Sequence, residues 1–285
     1  MSFILSELCI AHYTLFIVII GTTILGISCG LLGTFGLLKG YSLCGDAISH
    51  AALPGIAGAF LLTHTKHPIP LMIGGAITSS IAMFLLNIAQ RFTRLKLDTL
   101  LGILLSVFFG IGLVGMTIIQ KLPLPNQAAL TIFIFGSAST LMPQDIYCML
   151  LVSCLIMIIL ACLWKELILT IFDPVFAQAA GYRLPLFDAI FSCLLILLIT
   201  VGLHTMGAIL MSALLIAPAA AARQLTTQIL PMTLGAAFIG GACCLLGTCI
   251  SYYSQHVPTG PIIVILSTGA AFISFSITRR RIKIS

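Results

Sequence analysis

Two side chains stand out for what they can do together. Asp46 and His50 lie within the segment GLLKGYSLCGDAISHAALPGIAGAFLL, residues 36–62, four positions apart. On a helix that spacing places both on one face, about 6 Å apart along the axis. One carboxylate oxygen and one imidazole nitrogen make half of a transition-metal site, and both must be deprotonated to bind. The alternative is structural: Asp46 caps a helix start and His50 hydrogen-bonds to a neighbour. Spacing alone leaves both readings open. Pro54, four residues further on, has no N–H to donate, so it either kinks the helix or frees a carbonyl that can coordinate an ion. Ala47, Ser49, Ala51, Ala52, Gly55, Ala57, Gly58 and Ala59 supply small side chains along which another helix, or a symmetry mate, can approach closely.

The elements that hold this pair are set by composition. Of 285 residues 60% are hydrophobic and 7% are charged, where a soluble domain carries about 25% charged residues. Seven carboxylates and thirteen Lys/Arg cannot clothe a soluble surface of this size. The chain is expected to be an all-α, polytopic integral membrane bundle. Crossing lipid takes about 20 mostly apolar residues. The candidate spans are 15–38, 46–63, 69–90, 99–120, 143–163, 187–203, 229–250 and 261–278, with a half-length run at 206–217 that makes the count eight or nine. A charge inside a span costs about 2.5–3.5 kcal/mol and usually marks a pathway. Asp46 is nearly the only acid so placed. The start, MSFILSELCIAHYTLF, has no basic stretch and no small-residue cleavage site, so a cleaved signal peptide is not expected.

The positive-inside rule orients the spans. With nine crossings and the amino terminus outside, the segments 39–45, 91–98, 164–186, 223–228 and 279–285 are cytoplasmic and hold 11 of the 13 basic residues. Only Lys66 and Lys121 fall on the other side. The net charge of +6 is scattered between apolar runs, so it does not point to nucleic acid. The same topology sets His64, His67, His204 and His256 in or near outer loops. They are either ordinary polar loop residues or an outer vestibule that hands a soft cation inward. The ten cysteines form no C-x-x-C pair. Those in apolar runs (Cys29, Cys154, Cys162, Cys193, Cys243, Cys244 and Cys249) are read as small core hydrophobes.

Two cytoplasmic segments carry further signals. In KELILTIFDPVFAQAAGYRLP, residues 165–185, Asp173 is placed to cap a short surface helix that begins at Pro174 and closes at Gly181. In LLIAPAAAARQLT, residues 214–226, an Ala-rich helix opening at Pro218 and carrying Arg223 follows the half-length run. It is either a rigid lever between a partner and the pore or a simple turn between spans. No G-x-x-x-x-G-K-[ST] loop is present, so ATP chemistry would belong to another protein. An ion-coupled secondary metal carrier acting without an ATPase is the competing transport class. Such carriers usually show two similar halves and several buried carboxylates, and neither is evident. An intramembrane metalloenzyme would want at least three metal ligands and an acid or base, so an enzyme is not expected.

CGDAISHAALPGIA, FDPVFAQAAGY, LLIAPAAAARQLT and PTGPIIVILSTGAAFISF, in that order, resemble the permeases of the ABC-3 family of manganese, zinc and iron importers. The resemblance spans about residues 15–278. It implies that Asp46 and His50 coordinate the translocating ion, and that residues 217–227, with Pro218, Arg223 and Gln224, form a coupling helix that docks on a cytoplasmic ATPase. Asp173, Pro258 and Gly260 match the family pattern, and Asp173 joins the implied ATPase-coupling set. It further implies an extracytoplasmic metal-binding protein, a second permease subunit of the same or another chain, and residence in a bacterial cytoplasmic membrane. Residues 1–285 would then be one permease domain, with metal as cargo and no resident cofactor. Carboxylate plus imidazole suits manganese, iron and zinc alike.

Overall fold

The computed structural model describes residues 2–64, 67–121, 143–254 and 258–284. Among these residues every element is helical: α1 Ser2–Leu38, α2 Cys44–Thr63, α3 Pro68–Phe92, α4 Leu97–Lys121, α5 Pro143–Cys162, α6 Trp164–Phe172, α7 Pro174–Ala179, α8 Leu184–Met206, α9 Ala208–Leu225, α10 Ile229–Ser254 and α11 Thr259–Ile284. Lipid offers no partner to a backbone N–H or C=O, so a crossing segment must satisfy its own polar groups. Nine of these helices are long and apolar enough to cross, which makes the chain a multi-pass membrane protein. The short α6 and α7 are the two that are not.

The half-length run at 206–217 is resolved by α9. Gly207 alone, at φ 82°, separates α8 from α9, and α9 then runs unbroken to Leu225 with Pro218 inside it. No helix opens at Pro218. A proline in a helix interior costs about 3 kcal/mol because it removes a bond and crowds the preceding turn. Here the ring is buried beside Gly240 of α10, and the apolar stretch on both sides continues the span.

Small residues set how closely the helices meet. α2 and α3 run antiparallel with Gly55 against Gly74, and Ser79 Oγ donates to the Ile48 carbonyl across them at 3.1 Å. α4 runs alongside α2, with Gly112 against Leu53 and Pro54, and Gly115 against Ala57. α1 crosses α10 at Gly26–Gly240 and Gly30–Ala236, tied by a Thr22–Thr248 hydroxyl contact of 3.1 Å. The small-residue face of α2 is therefore taken up largely within the chain. These pairings alternate the helix directions, so Lys39, Arg91, Arg94, Lys96, Lys165, Arg183 and Arg223 gather at one end, the basic end.

The cysteines divide. Cys29, Cys243 and Cys244 are buried as expected, and Cys44 is buried too, whereas Cys154, Cys162 and Cys193 are exposed and Cys249 is intermediate. Apolar sequence does not separate core from lipid-facing surface, because both are apolar.

A Cβ on Gly55 would stand 2.0 Å from the Gly74 carbonyl oxygen, whereas one on Gly58 meets nothing within 4 Å. Gly55→Ala should therefore destabilise the protein by about 1–3 kcal/mol through overpacking, and Gly58→Ala should be neutral or slightly stabilising. Melting temperatures of the two purified variants in detergent check this, and equal melting temperatures would contradict the α2–α3 contact.

Candidate functional site

The turn that leads into α2 is closed by backbone geometry. Gly40, at φ 79°, lets Tyr41 N–H reach the Gly36 carbonyl and Gly40 N–H the Leu37 carbonyl, a Schellman cap on α1. The chain then re-enters the helix at Cys44. Asp46 falls in the first turn of α2, where the helix N-terminus favours a carboxylate. Tyr41 lies in the connecting turn. Burial, with the Asp188 and Cys44 charges adding to it and Gln90 opposing, pushes its phenol up to about 12, so it stays neutral.

Asp46 and His50 point the same way. His50 Nε2 is 3.4 Å from Asp46 Oδ1, and the side chains are 17% and 32% exposed respectively. Two donors about 2.1 Å from one ion at a tetrahedral angle stand about 3.4 Å apart, so the gap suits a shared zinc-sized cation. The same contact is an ion pair when the imidazole is protonated. The His50 ring is steered by Phe109 of α4, edge to face with centroids 4.7 Å apart, and its Nδ1 is buried with no hydrogen-bond partner.

From Cys44 to Ala57 every residue of α2 is buried except Asp46, His50 and Pro54. These three recur at every fourth position, and the half-exposed Gly58 continues the line. A partly exposed stripe thus runs up α2 beside Phe109 and Gly112 of α4, bearing a carboxylate, an imidazole and then Pro54. Pro54 has no N–H for the His50 carbonyl, so that oxygen also lacks its helical donor. Among the described residues no third His, Cys, Asp or Glu joins the pair in a possible metal cluster. Two side chains alone would make an incomplete metal shell.

The remaining sequence candidates fall in three places. His64 ends α2 in the left-handed conformation at φ 50°, and His67 caps α3; both are exposed at the far end of the stripe. His204 is in the last turn of α8, half-buried, with Asp145 of α5 close enough to act on it electrostatically. His256 lies outside the described residues. At the basic end Arg223 and Gln224 are exposed at the close of α9, where the Gln224 carbonyl accepts from Thr278 Oγ1 at 2.8 Å. Pro218 is buried one to two turns earlier, so it shapes α9 and offers no docking surface. Asp173 does cap α7, its Oδ1 accepting from Phe176 N at 2.9 Å, and Gly181 at φ 91° closes the helix. Pro258 precedes α11, which takes in Gly260. Sequence reasoning missed the side chains around that cap. Phe172, Val175 and Phe176 are 58%, 77% and 56% exposed at the basic end. Their signal was available: three large apolar residues flank an Asp-Pro helix start that is too short to bury them.

Residues 11–278 match the ABC 3 transport family. The chain belongs to that family. It is 38% identical over 271 residues to the zinc transport system membrane protein TroC of Treponema pallidum, covering 95% of this chain and 91% of the relative. It is 36% identical over 251 residues to the manganese transport system membrane protein MntC of Bacillus subtilis, covering 88% of this chain and 58% of that one. Among solved structures it superposes on a chain of PsaBC from Streptococcus pneumoniae in complex with Fab, with a TM-score of 0.78 and 29% identity, covering 90% of this chain and 89% of that one.

The Asp173 cap has a local readout. An N-cap Asp→Ala change costs about 1 kcal/mol, which is about a five-fold change in an opening equilibrium, while Asn caps almost as well. Asp173→Ala should speed hydrogen exchange at the Phe176 amide about five-fold and Asp173→Asn should leave it nearly unchanged. Equal rates in all three proteins would remove the cap from the account.

Proposed function

We propose that this ABC 3 family member is the membrane-spanning permease of an ATP-driven importer for a divalent transition metal, and that Asp46 and His50 are the chain's ligands to the ion in transit. The observation that carries the reading is the 3.4 Å gap between Asp46 Oδ1 and His50 Nε2 on the partly exposed stripe of α2. Zinc and manganese are named for the two relatives, and a carboxylate with an imidazole accepts either of them or ferrous iron. The ion is cargo; no resident cofactor is invoked.

The chemistry is an exchange of ligands. An ion entering the stripe trades part of its water shell for the Asp46 carboxylate and His50 nitrogen, with water or a second permease subunit completing coordination. That subunit, a further copy or a related chain, lies over the stripe and turns it into an enclosed pathway. Release follows because a two-ligand site holds the ion weakly once the cover moves, and protons compete with the ion for both groups. His64, His67, His204 and His256 serve the outer approach, where an extracytoplasmic metal-binding protein delivers the cargo.

Energy comes from a separate cytoplasmic ATPase. It docks at the basic end on Arg223, Gln224 and the apolar surface of α6 and α7 that Asp173 organises. Eleven of thirteen basic residues at or beyond that end support this orientation in a bacterial cytoplasmic membrane. Residues 1–285 act as one permease domain.

The test is metal uptake by the assembled transporter in proteoliposomes. Asp46→Asn keeps shape and removes charge; His50→Ala removes the ring nitrogen. Each should lower ATP-dependent uptake at least a hundred-fold while the complex still assembles and hydrolyses ATP. Wild-type rates in both variants would return the pair to a helix start and a packed histidine, and uptake without ATP would point to a secondary carrier.

A further inference from the structure

The basic end holds a cluster that neither the metal site nor the docking surface uses. Lys39 Nζ forms an ion pair with Asp188 Oδ1 and lies 4.9 Å from the Tyr41 ring centroid and 5.3 Å from that of Phe191. Asp188 and Phe191 belong to the first two turns of α8, and Lys39 sits in the turn that launches α2 seven residues before Asp46.

Neither charged residue is needed where it stands. α1 is already closed by the Gly40 Schellman cap, so its termination does not require the Lys39 side chain. Asp188 stands beyond the first turn of α8 and does not cap it. What their pairing adds is a link between elements. A second capped turn docks on the same platform. Gly181 and Tyr182 close α7 with the same two backbone bonds, Gly181 N–H to the Gln178 carbonyl and Tyr182 N–H to the Ala177 carbonyl. The Tyr182 ring then meets Phe187 edge to face at 5.8 Å, one turn from Phe191, on which the Tyr41 ring rests at 6.4 Å.

The first turns of α8 thus receive two Schellman turns side by side. One ends the short helix α7 and the other begins the helix of Asp46 and His50. Trp164, at the start of α6, stands edge to face on Phe35 of α1 at 5.3 Å and anchors the other end of the surface segment. Beside the Lys39 turn is a cavity of about 10 Å³, room for at most a single water, lined by Gly36, Tyr41, Ser42, Gly45 and Leu215.

We infer that Lys39, held by Asp188, is a positioning residue that passes displacement of the α6–α7 surface to the start of α2 and so to the metal ligands. The inference rests on the permease reading above. The pair is part-exposed and of ordinary strength, which suits a link that must shift in every cycle. Lys39 does not touch the ion. Its removal should break the connection between ATP hydrolysis and transport and leave both ends intact.

The experiment compares wild type, Lys39→Met, Lys39→Arg and Asp188→Asn, each assembled with its ATPase in proteoliposomes and assayed with zinc. Three quantities are read: zinc bound without ATP, ATP hydrolysed, and zinc taken up per ATP. Lys39→Met keeps the apolar stem and should bind zinc and hydrolyse ATP within two-fold of wild type, while uptake per ATP falls at least ten-fold. Asp188→Asn should reproduce that defect from the other side of the pair, and it carries the test alone if Lys39→Met does not assemble. Lys39→Arg, which keeps charge and ring contacts, should return to within two-fold of wild type. Unchanged uptake per ATP in Lys39→Met and Asp188→Asn overturns the relay and leaves the permease reading standing. Loss of zinc binding in both overturns it too, since the pair would then merely shape the site. A wild-type complex that shows no ATP-dependent uptake of zinc, manganese or ferrous iron would overturn the permease reading and the relay with it.

Discussion

Backbone amides in lipid have no water to turn to, and that shortage governs the rest of this molecule. It forces the crossing segments into helices, and it leaves packing rather than hydrophobic exclusion to hold them together. Packing at close range needs residues without bulk. Gly55 on Gly74, Gly26 on Gly240 and Gly30 on Ala236 are places where one helix backbone lies against another with no room for a Cβ. Helix α2 is clasped in this way by α3 and α4, and from Cys44 to Ala57 only Asp46, His50 and Pro54 keep partial exposure.

That arrangement explains how a carboxylate and an imidazole persist inside a membrane protein. The clasp fixes the helix rotation, so both groups share the half-exposed stripe and neither is driven into the core. Phe109 limits the His50 ring, and the helix start favours the Asp46 charge. The same stripe is too sparse to be a stable metal cage, and transport requires an ion to leave as readily as it arrives. At the basic end, short capped turns carry the polar work. Asp173 starts α7, Gly181 ends it, and Gly40 ends α1.

Much of this was legible in the sequence, and the misses share a cause. Apolar runs located eight spans, since their length and composition are sufficient signals; the Asp173-Pro174-Gly181 helix was legible because caps are local chemistry. The half-length run at 206–217 was legible as a possible ninth span, but its extent was not, because Pro218 was read as a helix start whereas α9 runs through it to Leu225. Exposed Cys154, Cys162 and Cys193 were read as core because lipid-facing and core positions have the same composition. The link from Lys39 to Asp188 joins residues 149 apart, and no local pattern reports such a pairing. Asp46 and His50 were legible as a pair, yet the stripe that isolates them depends on which faces α3 and α4 cover.

The proposed pathway depends on Asp46 and His50 holding the ion in transit. The most direct measurement is anomalous scattering at the zinc edge from the assembled transporter prepared with zinc. A peak is expected about 2.0–2.2 Å from an Asp46 carboxylate oxygen and from a His50 ring nitrogen. A pathway peak that touches neither residue would contradict it.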